Sequence, residues 1–405
     1  MIRDLKTRMV VLDDDPTGIQ TVHDCRLLTS WNVRDVREVL AQDIPFFYML
    51  TNTRAMARQE AADIIENAIN TFIEANKEFG FLMIYVSRSD SCLRGHFPLE
   101  TDVMQNILRQ HGIRVWHPVP FVPAFIEAGR VTIRGVHFMR ENGQLIPLAQ
   151  TEFANDNVFG FTTSFLADYI REKNANPEDY EIVDAESYNQ LYAYTDRLMA
   201  QTSSFDGAVV IRSSSSLPKA ISGIKDKPLL DKKILRNING IGCFVVGSHV
   251  QKTTRQLEKL LMADGISGIE IDVQRILDED EIFFEEILSQ ITKVAKRSHT
   301  PVIYTSRQEL RLADTEQRLK TGQVISNFLV RIVESLPFTP TYIVGKGGIT
   351  SHDILTKGLH VRSATVLGQV ISNVPCLMTD KCPYIIFPGN VGDDYSLKEV
   401  YEKMR

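Results

Sequence analysis

Three consecutive carboxylates follow an apolar segment near the beginning of the chain. Residues 9–12 (M-V-V-L) have the composition of a buried strand, and they lead directly into residues 13–18 (D-D-D-P-T-G). In open α/β sheets ligands bind beyond the carboxyl ends of the strands, and the proline and glycine favour a sharp turn there. The segment predicts a site for a polar substrate. A solvated acidic turn that caps the next helix is the alternative.

A second polar loop, residues 87–95 (S-R-S-D-S-C-L-R-G), follows the apolar segment 82–86. Its two arginines suit a carboxylate, which their planar guanidinium groups bind in a bidentate manner, and Asp90 and the serines suit sugar hydroxyls. A polar loop with Arg88 in a surface ion pair is the alternative. Residues 51–54 (T-N-T-R) have the same character. The candidate substrate-binding residues are Thr17, Gly18, Arg54, Ser87, Arg88, Asp90, Ser91, Arg94, Gly95 and Arg130.

Three glycine-containing loops of the second half, residues 247–248, 345–351 and 388–392, each follow a strand-like segment. In a parallel sheet they would lie at one edge, where glycine lets backbone N–H groups approach an oxyanion. This predicts phosphate binding, although any one loop alone is more typical of a structural turn. Lys346 can also reach a phosphate, and an exposed lysine beside a turn is its alternative. The candidate phosphate-binding residues are Gly247, Ser248, Ser306, Gly347, Gly348, Ile349, Thr350, Gly389, Asn390 and Gly392.

The elements that carry these loops alternate in type. Short strand-like segments alternate with helical ones, which predicts an α/β fold with mainly parallel sheets. The predicted strands are 9–12, 46–50, 82–86, 115–119, 207–211, 242–246, 269–272, 301–304, 341–344 and 384–387. The segment 131–138 and the turn at 141–143 together predict a hairpin near the sheet edge. The predicted helices are 55–79, 164–172, 187–200, 253–262, 278–296 and 321–336. The acids at 278–281 are interpreted as a helix start rather than a metal site.

Length and composition narrow the class of protein. A chain of 405 residues predicts two domains, and a composition shift at 213–228 places them at residues 1–225 and 230–405. The net charge of −6 argues against a nucleic-acid partner. No apolar stretch approaches about 18 residues and the N-terminus lacks a signal-peptide core, so we expect a cytoplasmic protein without a membrane partner. The five scattered cysteines predict buried thiols rather than disulfides or zinc ligands.

Taken together, the motifs resemble those of the four-carbon acid sugar kinase family over nearly the whole chain. They are residues 14–18 (D-D-P-T-G), 90–95 (D-S-C-L-R-G), 123–130, 347–350 (G-G-I-T) and 388–392. The resemblance implies a first α/β domain that binds a sugar acid, a second that binds ATP at the glycine loops, and an active site in the cleft between them. It implies a kinase that uses ATP and Mg²⁺, with unassigned metal ligands. A carboxylate at the end of the first strand is well placed to accept the hydroxyl proton, so Asp14 or Asp15 is the candidate base. Exposed edge strands make a homodimer the expected assembly.

Two positions depart from the family pattern. Cys92 stands where the family usually has Thr, and Ile349 stands where many members carry an acid. The first affects one substrate hydrogen bond, and the second suggests a subgroup whose substrate is not a tetronate.

Two other classes of protein remain as alternatives. The spacing of Asp13, Asp15 and Thr17, with acids at 393–394, imitates a haloacid-dehalogenase-type phosphatase, which would form an aspartyl-phosphate without ATP. That class leaves the loops 87–95 and 345–351 unexplained. A non-catalytic sensor of sugar acid or nucleotide is the other alternative, but a sensor has no need of a base.

Overall fold

The computed structural model describes residues 6–230, 240–248, 250–278, 280–307 and 315–405. The chain divides into two units, Met1–Asp226 (unit 1) and Lys227–Arg405 (unit 2). Each unit contains a mainly parallel sheet with helices packed on it, so the predicted two-domain α/β architecture is confirmed. Among the described residues, every helix is too short or too polar to span a membrane.

Unit 1 is built on strands whose apolar side chains are buried on both faces of a sheet, as expected of parallel strands. Its strands are β1 (Thr7–Asp13), β2 (Cys25–Leu28), β3 (Phe46–Leu50), β4 (Leu82–Arg88), β5 (Val119–Val122), β6 (Arg130–Ile133), β7 (Val136–Glu141), β8 (Gln144–Pro147), β9 (Tyr180–Ile182) and β10 (Val209–Ser213). Its helices are α1 (Val33–Leu40), α2 (Arg58–Asn76), α3 (Leu99–Gln110), α4 (Leu166–Glu172), α5 (Tyr188–Thr202) and α6 (Ser216–Ser222).

The order of the strands in unit 1 places its polar loops at one edge. The sheet runs β2-β3-β1-β4-β10-β5-β9, and the pairs along it are parallel. The loops after β1, β3, β4 and β5 therefore leave from the same edge of the sheet. The sequence predicted this for the loops after β1, β3 and β4. The core packs the apolar face of α2, including Ile65, Ile69 and Phe72, against the sheet. A separate antiparallel sheet, β6-β7-β8, stands beside the loop after β4.

Unit 2 has the same style of organisation. Its strands are β11 (Cys243–Val246), β12 (Ile266–Ile271), β13 (Thr300–Thr305), β14 (Ile343–Lys346), β15 (Ser363–Ile371), β16 (Val374–Met378) and β17 (Pro383–Phe387). Its helices are α7 (Gln251–Leu261), α8 (Val273–Leu277), α9 (Glu281–Lys296), α10 (Thr315–Glu334), α11 (Gly348–Asp353) with a π-helical continuation (Ile354–Gly358), and α12 (Ser396–Met404).

The sheet of unit 2 runs β12-β13-β11-β14-β17-β16-β15. Strands β12, β13, β11, β14 and β17 are parallel, whereas β16 pairs antiparallel with both β17 and β15. Because β11, β14 and β17 are adjacent and parallel, the three glycine loops that follow them lie side by side at one edge.

Several predicted elements differ from the structure. The segment 115–119 is not a strand: β5 begins at Val119, and only an isolated bridge pairs Val115 with Ala208. The segment 131–138 is broken by a turn, because Arg134 and Gly135 both have positive φ, whereas the predicted turn at 141–143 joins β7 and β8 in a hairpin. The predicted helix 278–296 begins later, as α9 at Glu281, with the side chain of Asp280 as its N-cap. The short helix α8 before it was not predicted, and Glu279 lies outside the described residues.

Other elements were not predicted at all; they are β2, α1, α3, β9, α6, α8, α11, the hairpin of β15 and β16, and α12. The serines at 213–216, read as the start of a composition shift, are buried in unit 1 at the end of β10 and the start of α6. All five cysteines are buried and free, as predicted.

Candidate active site

The first carboxylate of the acidic run, Asp13, is an internal group. Its side chain is fully buried, and Oδ1 accepts a hydrogen bond from Arg88 Nη1 at 3.0 Å. Burial raises the pKa of Asp13 to about 7, against the opposing charge of Arg88. A Cβ atom on Gly18 would lie 2.1 Å from Asp13 Oδ1, which explains the glycine of the motif. Asp13 therefore braces the turn and is closed to a substrate.

The second carboxylate, Asp14, is also buried, and its main partner is Arg54, with a longer contact of 3.4 Å to Arg88 Nη1. Arg54 donates to it twice, from Nη2 to Oδ1 at 2.5 Å and from Nε to Oδ2 at 3.0 Å. Ser89 Oγ donates to Oδ2 at 2.8 Å. Both carboxylate oxygens are thus occupied by protein donors, so Asp14 fixes the loop after β3 to the loop after β1.

The third carboxylate, Asp15, is the accessible one. Its side chain keeps about a fifth of its surface exposed, at 20%. Oδ1 accepts from both Thr17 N at 2.8 Å and Thr17 Oγ1 at 2.5 Å, whereas Oδ2 has only a long contact of 3.5 Å with Arg54 Nη1. Burial would raise the pKa of Asp15, but the charges of Arg54 and Arg88 and the bonds from Thr17 lower it below its ordinary value. Asp15 is therefore an ionised carboxylate with one lightly bonded oxygen.

The candidate arginines differ in their partners. Arg88 is buried between Asp13 and Ser215, and it donates to Ser215 Oγ at 3.1 Å. Arg94 Nε donates to Asp90 Oδ2 at 2.5 Å. Arg130 has no carboxylate partner among the described residues.

The surroundings of Arg130 fit an anion receptor. Its Nη1 donates to the carbonyl oxygen of Ala128, and its Nε is buried without a partner. Its guanidinium carbon lies 6.0 Å from the centroid of the Phe153 ring, and that of Arg94 lies 5.2 Å from the same centroid. The two guanidinium groups therefore share one aromatic support, which orients both.

Residues outside the predicted set hold the loop after β4. His137 Nε2 donates to the carbonyl oxygen of Ser91 at 2.8 Å while Nδ1 accepts from Thr132 Oγ1 at 2.9 Å. Burial lowers the pKa of His137 to about 4, so the ring is neutral in this role. Tyr169 donates to the carbonyl oxygen of Leu93 at 2.9 Å. No local sequence signal marks the two contacts to the loop, because they join residues that are 46 and 76 positions apart.

A buried ion pair lies beneath the site and was also missed. Arg212 Nη1 contacts Glu100 Oε2 and donates to Ser87 Oγ at 2.7 Å. Glu100 also accepts from Thr53 Oγ1 at 2.6 Å and from Ser87 Oγ at 2.8 Å. Ser87 thus faces this internal network rather than the open part of the site. Gly95 has a φ of +122°, and a Cβ atom at this position would lie 2.4 Å from Ser89 Oγ.

Cys92, at the position where Thr was expected, is buried as well. Burial raises the pKa of its thiol to about 11, with Asp90 adding to the shift and Arg130 opposing it. The thiol is therefore neutral at ordinary pH and contributes packing beside Arg130.

In unit 2 the glycine loops pack closely on one another. A Cβ on Gly247 would lie 2.2 Å from Thr350 Oγ1, and one on Gly347, whose φ is +107°, would lie 3.2 Å from Ser248 Cβ. Ser248 Oγ is 3.1 Å from Thr253 Oγ1. A Cβ on Gly389 would lie 3.6 Å from Ser248 Oγ. The loops after β11, β14 and β17 therefore meet at Ser248.

The remaining candidates of unit 2 surround this meeting point. Gly348 begins α11, and Ile349 beside it is 64% exposed. The carbonyl oxygen of Asn390 accepts from Lys252 Nζ at 3.1 Å. Gly392 has a φ of +81° and packs on Ser396. Ser306, after β13, accepts from Val273 N at 3.4 Å and so has a structural contact.

The sequence predicted Lys346 either as a phosphate ligand or as an exposed lysine beside a turn, and its environment in the structure differs from both. It is fully buried, and Nζ donates to the carbonyl oxygens of Pro388 at 2.6 Å and Gly389 at 3.1 Å. Its Nζ also lies 4.2 Å from the centroid of the Phe387 ring. Burial lowers the pKa of Lys346 to about 7, and the charge of Lys252 adds to the shift. Lys346 is therefore an internal anchor for the loop after β17.

The residues that the structure describes contain no group of three or more carboxylate, histidine or cysteine side chains arranged to hold a metal ion. In unit 1, the adjacent carboxylates of Asp14 and Asp15 are both hydrogen-bonded by Arg54. These residues do not form a protein-held Mg²⁺ centre.

Comparison with known proteins defines the class to which these two units belong. Residues 9–211 match the family model described as a sugar-binding N-terminal domain, and residues 243–397 match the one described as a nucleotide-binding C-terminal domain. The chain is thus a sugar-binding domain followed by a nucleotide-binding domain. It belongs to the four-carbon acid sugar kinase family, as its motifs predicted.

Solved structures with the same fold cover both units. A Haemophilus influenzae protein of the DUF1537 family has a TM-score of 0.64 and is 16% identical, over 98% of this chain and 100% of that one. A Salmonella typhimurium LT2 protein, provisionally described as a tRNA synthase, has a TM-score of 0.69 at 16% identity and the same coverage. At this identity the similarity concerns the fold alone.

A local similarity to a viral protein is of another kind. The core protein VP3 of bluetongue virus 2 is 28% identical over 169 residues, which are 38% of this chain and 18% of VP3. The chain therefore spans less than a fifth of the length of that relative, and nothing about its activity follows from the match.

Proposed function

We propose that this protein is an ATP-dependent kinase that phosphorylates a hydroxyl group of a small sugar acid. The observation that carries the proposal is the accessible carboxylate of Asp15, at the sheet edge of a sugar-binding domain that precedes a nucleotide-binding domain in the same chain. A kinase of this class needs mainly positioning and charge neutralisation, with a carboxylate to accept the hydroxyl proton.

Asp15 suits the role of the base better than Asp14. Its Oδ2 has a single long contact, whereas both oxygens of Asp14 accept short bonds from Arg54 and Ser89. In the proposed step, the substrate hydroxyl oxygen attacks the terminal phosphorus of ATP, its proton passes to Asp15, and ADP leaves. Thr17 holds Asp15 through Oδ1 and leaves Oδ2 for the substrate.

Arg130 suits the role of receptor for the substrate carboxylate. Arg88 and Arg94 were expected to share that role, but both have carboxylate partners within the protein, at Asp13 and Asp90 respectively. A guanidinium group that lacks such a partner is better suited to bind an anionic ligand in a bidentate manner. We therefore assign the carboxylate to Arg130, with Arg94 beside it on the Phe153 ring and Arg88 in support of the acidic loop.

The glycine loops that meet at Ser248 suit the phosphate groups of ATP. Gly247, Gly347 and Gly389 allow the backbone to approach a ligand closely, and the loops lie in the domain whose family model is nucleotide-binding. The hydroxyl of Ser248 lies among them as a hydrogen-bond donor.

The phosphatase alternative fits the site less well. Its nucleophile would be Asp13, whose carboxylate is fully buried and bonded to Arg88. A buried, partly protonated carboxyl is a poor nucleophile, because the ionised form attacks the phosphorus.

The decisive experiment is a substrate panel. The purified protein is incubated with ATP, Mg²⁺ and sugar acids of three to six carbons, and ADP formation is recorded for each acid. Phosphate release from the corresponding sugar phosphates without ATP is measured in parallel. Acid-dependent ADP formation supports the kinase, whereas phosphate release supports the phosphatase, and ligand binding without either reaction supports a sensor.

A further inference from the structure

Two cations beside the glycine loops of unit 2 have no carboxylate partner among the residues that the structure describes. Arg307, which follows β13, donates from Nη2 to the carbonyl oxygen of Ser248 at 2.7 Å and to Thr254 Oγ1 at 2.9 Å. Lys252, in the first turn of α7, donates to the carbonyl oxygen of Asn390 at 3.1 Å. Both charges are thus bonded by neutral acceptors.

The guanidinium group of Arg307 is incompletely bonded. Its Nη1 is buried and has no hydrogen-bond partner. Burial lowers the pKa of Arg307, although the nearby Glu270 and Tyr304 oppose the shift. A buried donor without an acceptor is costly, since it gives up its bonds to water and gains none in the protein.

A neighbouring arginine shows the contrast. Arg255 lies on the same helix as Lys252, and its Nε donates to Asp394 Oδ1 at 2.9 Å. Its side chain is also about half exposed, at 49%. Arg255 therefore forms an ordinary surface ion pair with Asp394, and it serves as a matched control.

We propose that Arg307 and Lys252 together bind the phosphate groups of the nucleotide. Arg307 is hydrogen-bonded to Ser248, where the three glycine loops meet, and Lys252 is hydrogen-bonded to the loop after β17. A phosphate there would supply the acceptor that Arg307 Nη1 lacks and a counter-charge for both cations. This inference rests on the proposed function, because it names the residues that recognise the charged part of its nucleotide.

The test compares ligands that share a base but differ in charge. Dissociation constants of ATP, ADP and adenosine are measured by calorimetry, or by ligand-observed NMR where binding is weak, for wild-type protein and the variants Arg307→Gln, Lys252→Met and Arg255→Gln. Loss of a charge-assisted contact is expected to weaken ATP binding about 10- to 100-fold in the first two variants. Adenosine binding is expected to stay within about twofold of wild type, and Arg255→Gln is expected to bind all three ligands as wild type does.

Two results would overturn the inference. An equal loss of ATP and adenosine binding in Arg307→Gln would mean that Arg307 only holds the Ser248 loop in place. Unchanged ATP binding in both variants would remove these cations from the phosphate site. A wild-type protein that binds none of the three ligands would instead contradict the proposed function itself.

Discussion

The three neighbouring acids at the end of β1 have three different environments. Asp13 is buried against Arg88, Asp14 is bonded by Arg54, and Asp15 retains an accessible oxygen. Identical side chains therefore have different uses, because their partners come from different strands of the sheet. Of these three acids, only Asp15 has the role of base in the proposed chemistry.

The change Asp15→Asn keeps the size of the side chain and its bonds from Thr17 but removes the proton acceptor. We expect turnover to fall by about 10²–10⁴-fold, the usual contribution of a general base, with ATP affinity unchanged. Steady-state kinetics with the acid identified in the substrate panel provide the measurement. Asp43→Asn, an exposed position in the same unit, is the control and should retain full turnover. Near-normal turnover of folded Asp15→Asn would place the base elsewhere.

Arg130 offers a separate test of how the acid is recognised. We expect Arg130→Gln to raise the KM for the sugar acid about 10- to 100-fold, because a charge-assisted contact to the carboxylate is lost. The KM for ATP should not change. Arg134→Gln, at an exposed position in the next turn, is the matched control. If Arg94→Gln raised the KM for the acid and Arg130→Gln did not, the carboxylate would belong to Arg94.

In unit 2, the buried side chain of Lys346 joins the end of one strand to the loop after another. Lys346 ends β14, and its ammonium group holds two carbonyl oxygens of the loop after β17. This contact fixes the spacing of two glycine loops, at the cost of removing an amine from water. The pKa of Lys346 reflects that cost.

Stability should therefore depend on pH through Lys346. Its pKa is about 7 in the folded protein against an ordinary value of 10.5, so between these values the unfolded state binds more protons. The stabilisation from this group is complete above about pH 10.5 and is lost as the pH falls towards 7, with a slope of about 1.4 kcal/mol per pH unit in the middle of the window.

Denaturant unfolding of wild type and Lys346→Met at several pH values measures this effect. The free energy of unfolding of wild type minus that of the variant should increase with pH between about 7 and 10. Lys381→Met, which removes an exposed lysine of the same unit, is the control and should give a difference that does not change across the window. A difference that decreases with rising pH would contradict the buried environment of Lys346.

The chain as a whole pairs two units of similar architecture with different ligands. Each unit presents its polar or glycine-rich loops at the carboxyl edge of a parallel sheet, where this class of fold binds ligands. The family models separate sugar binding from nucleotide binding along the same division.

Hydrogen exchange can test this division in the intact protein. ATP is expected to slow exchange at residues 247–248, 347–350 and 389–392, and the sugar acid is expected to slow it at residues 13–18 and 87–95. Each ligand is added alone and then with the other. Protection of residues 13–18 and 87–95 by ATP alone, without protection in unit 2, would contradict the assignment of the nucleotide.

The sequence by itself determined the family, the α/β class and the loops that carry the candidate site. It could do so because short apolar segments that end in polar or glycine-rich loops are local features. The strand at Phe46–Leu50 was predicted with its observed bounds for that reason. Helix α3 was missed because polar side chains such as Gln105 lie among its buried residues and obscure the helical pattern.

Only the tertiary structure decided which of the candidate side chains are available to a ligand. Asp15 and Arg54 are 39 residues apart, and Arg88 and Ser215 are 127 apart, so no local pattern reveals these contacts. The sheet order brings them together, and burial then decides which charges are paired within the protein. This pairing distinguishes Asp15 and Arg130 from the acids and arginines that resemble them in the sequence. A charge that is already paired inside the protein is less available to bind a ligand.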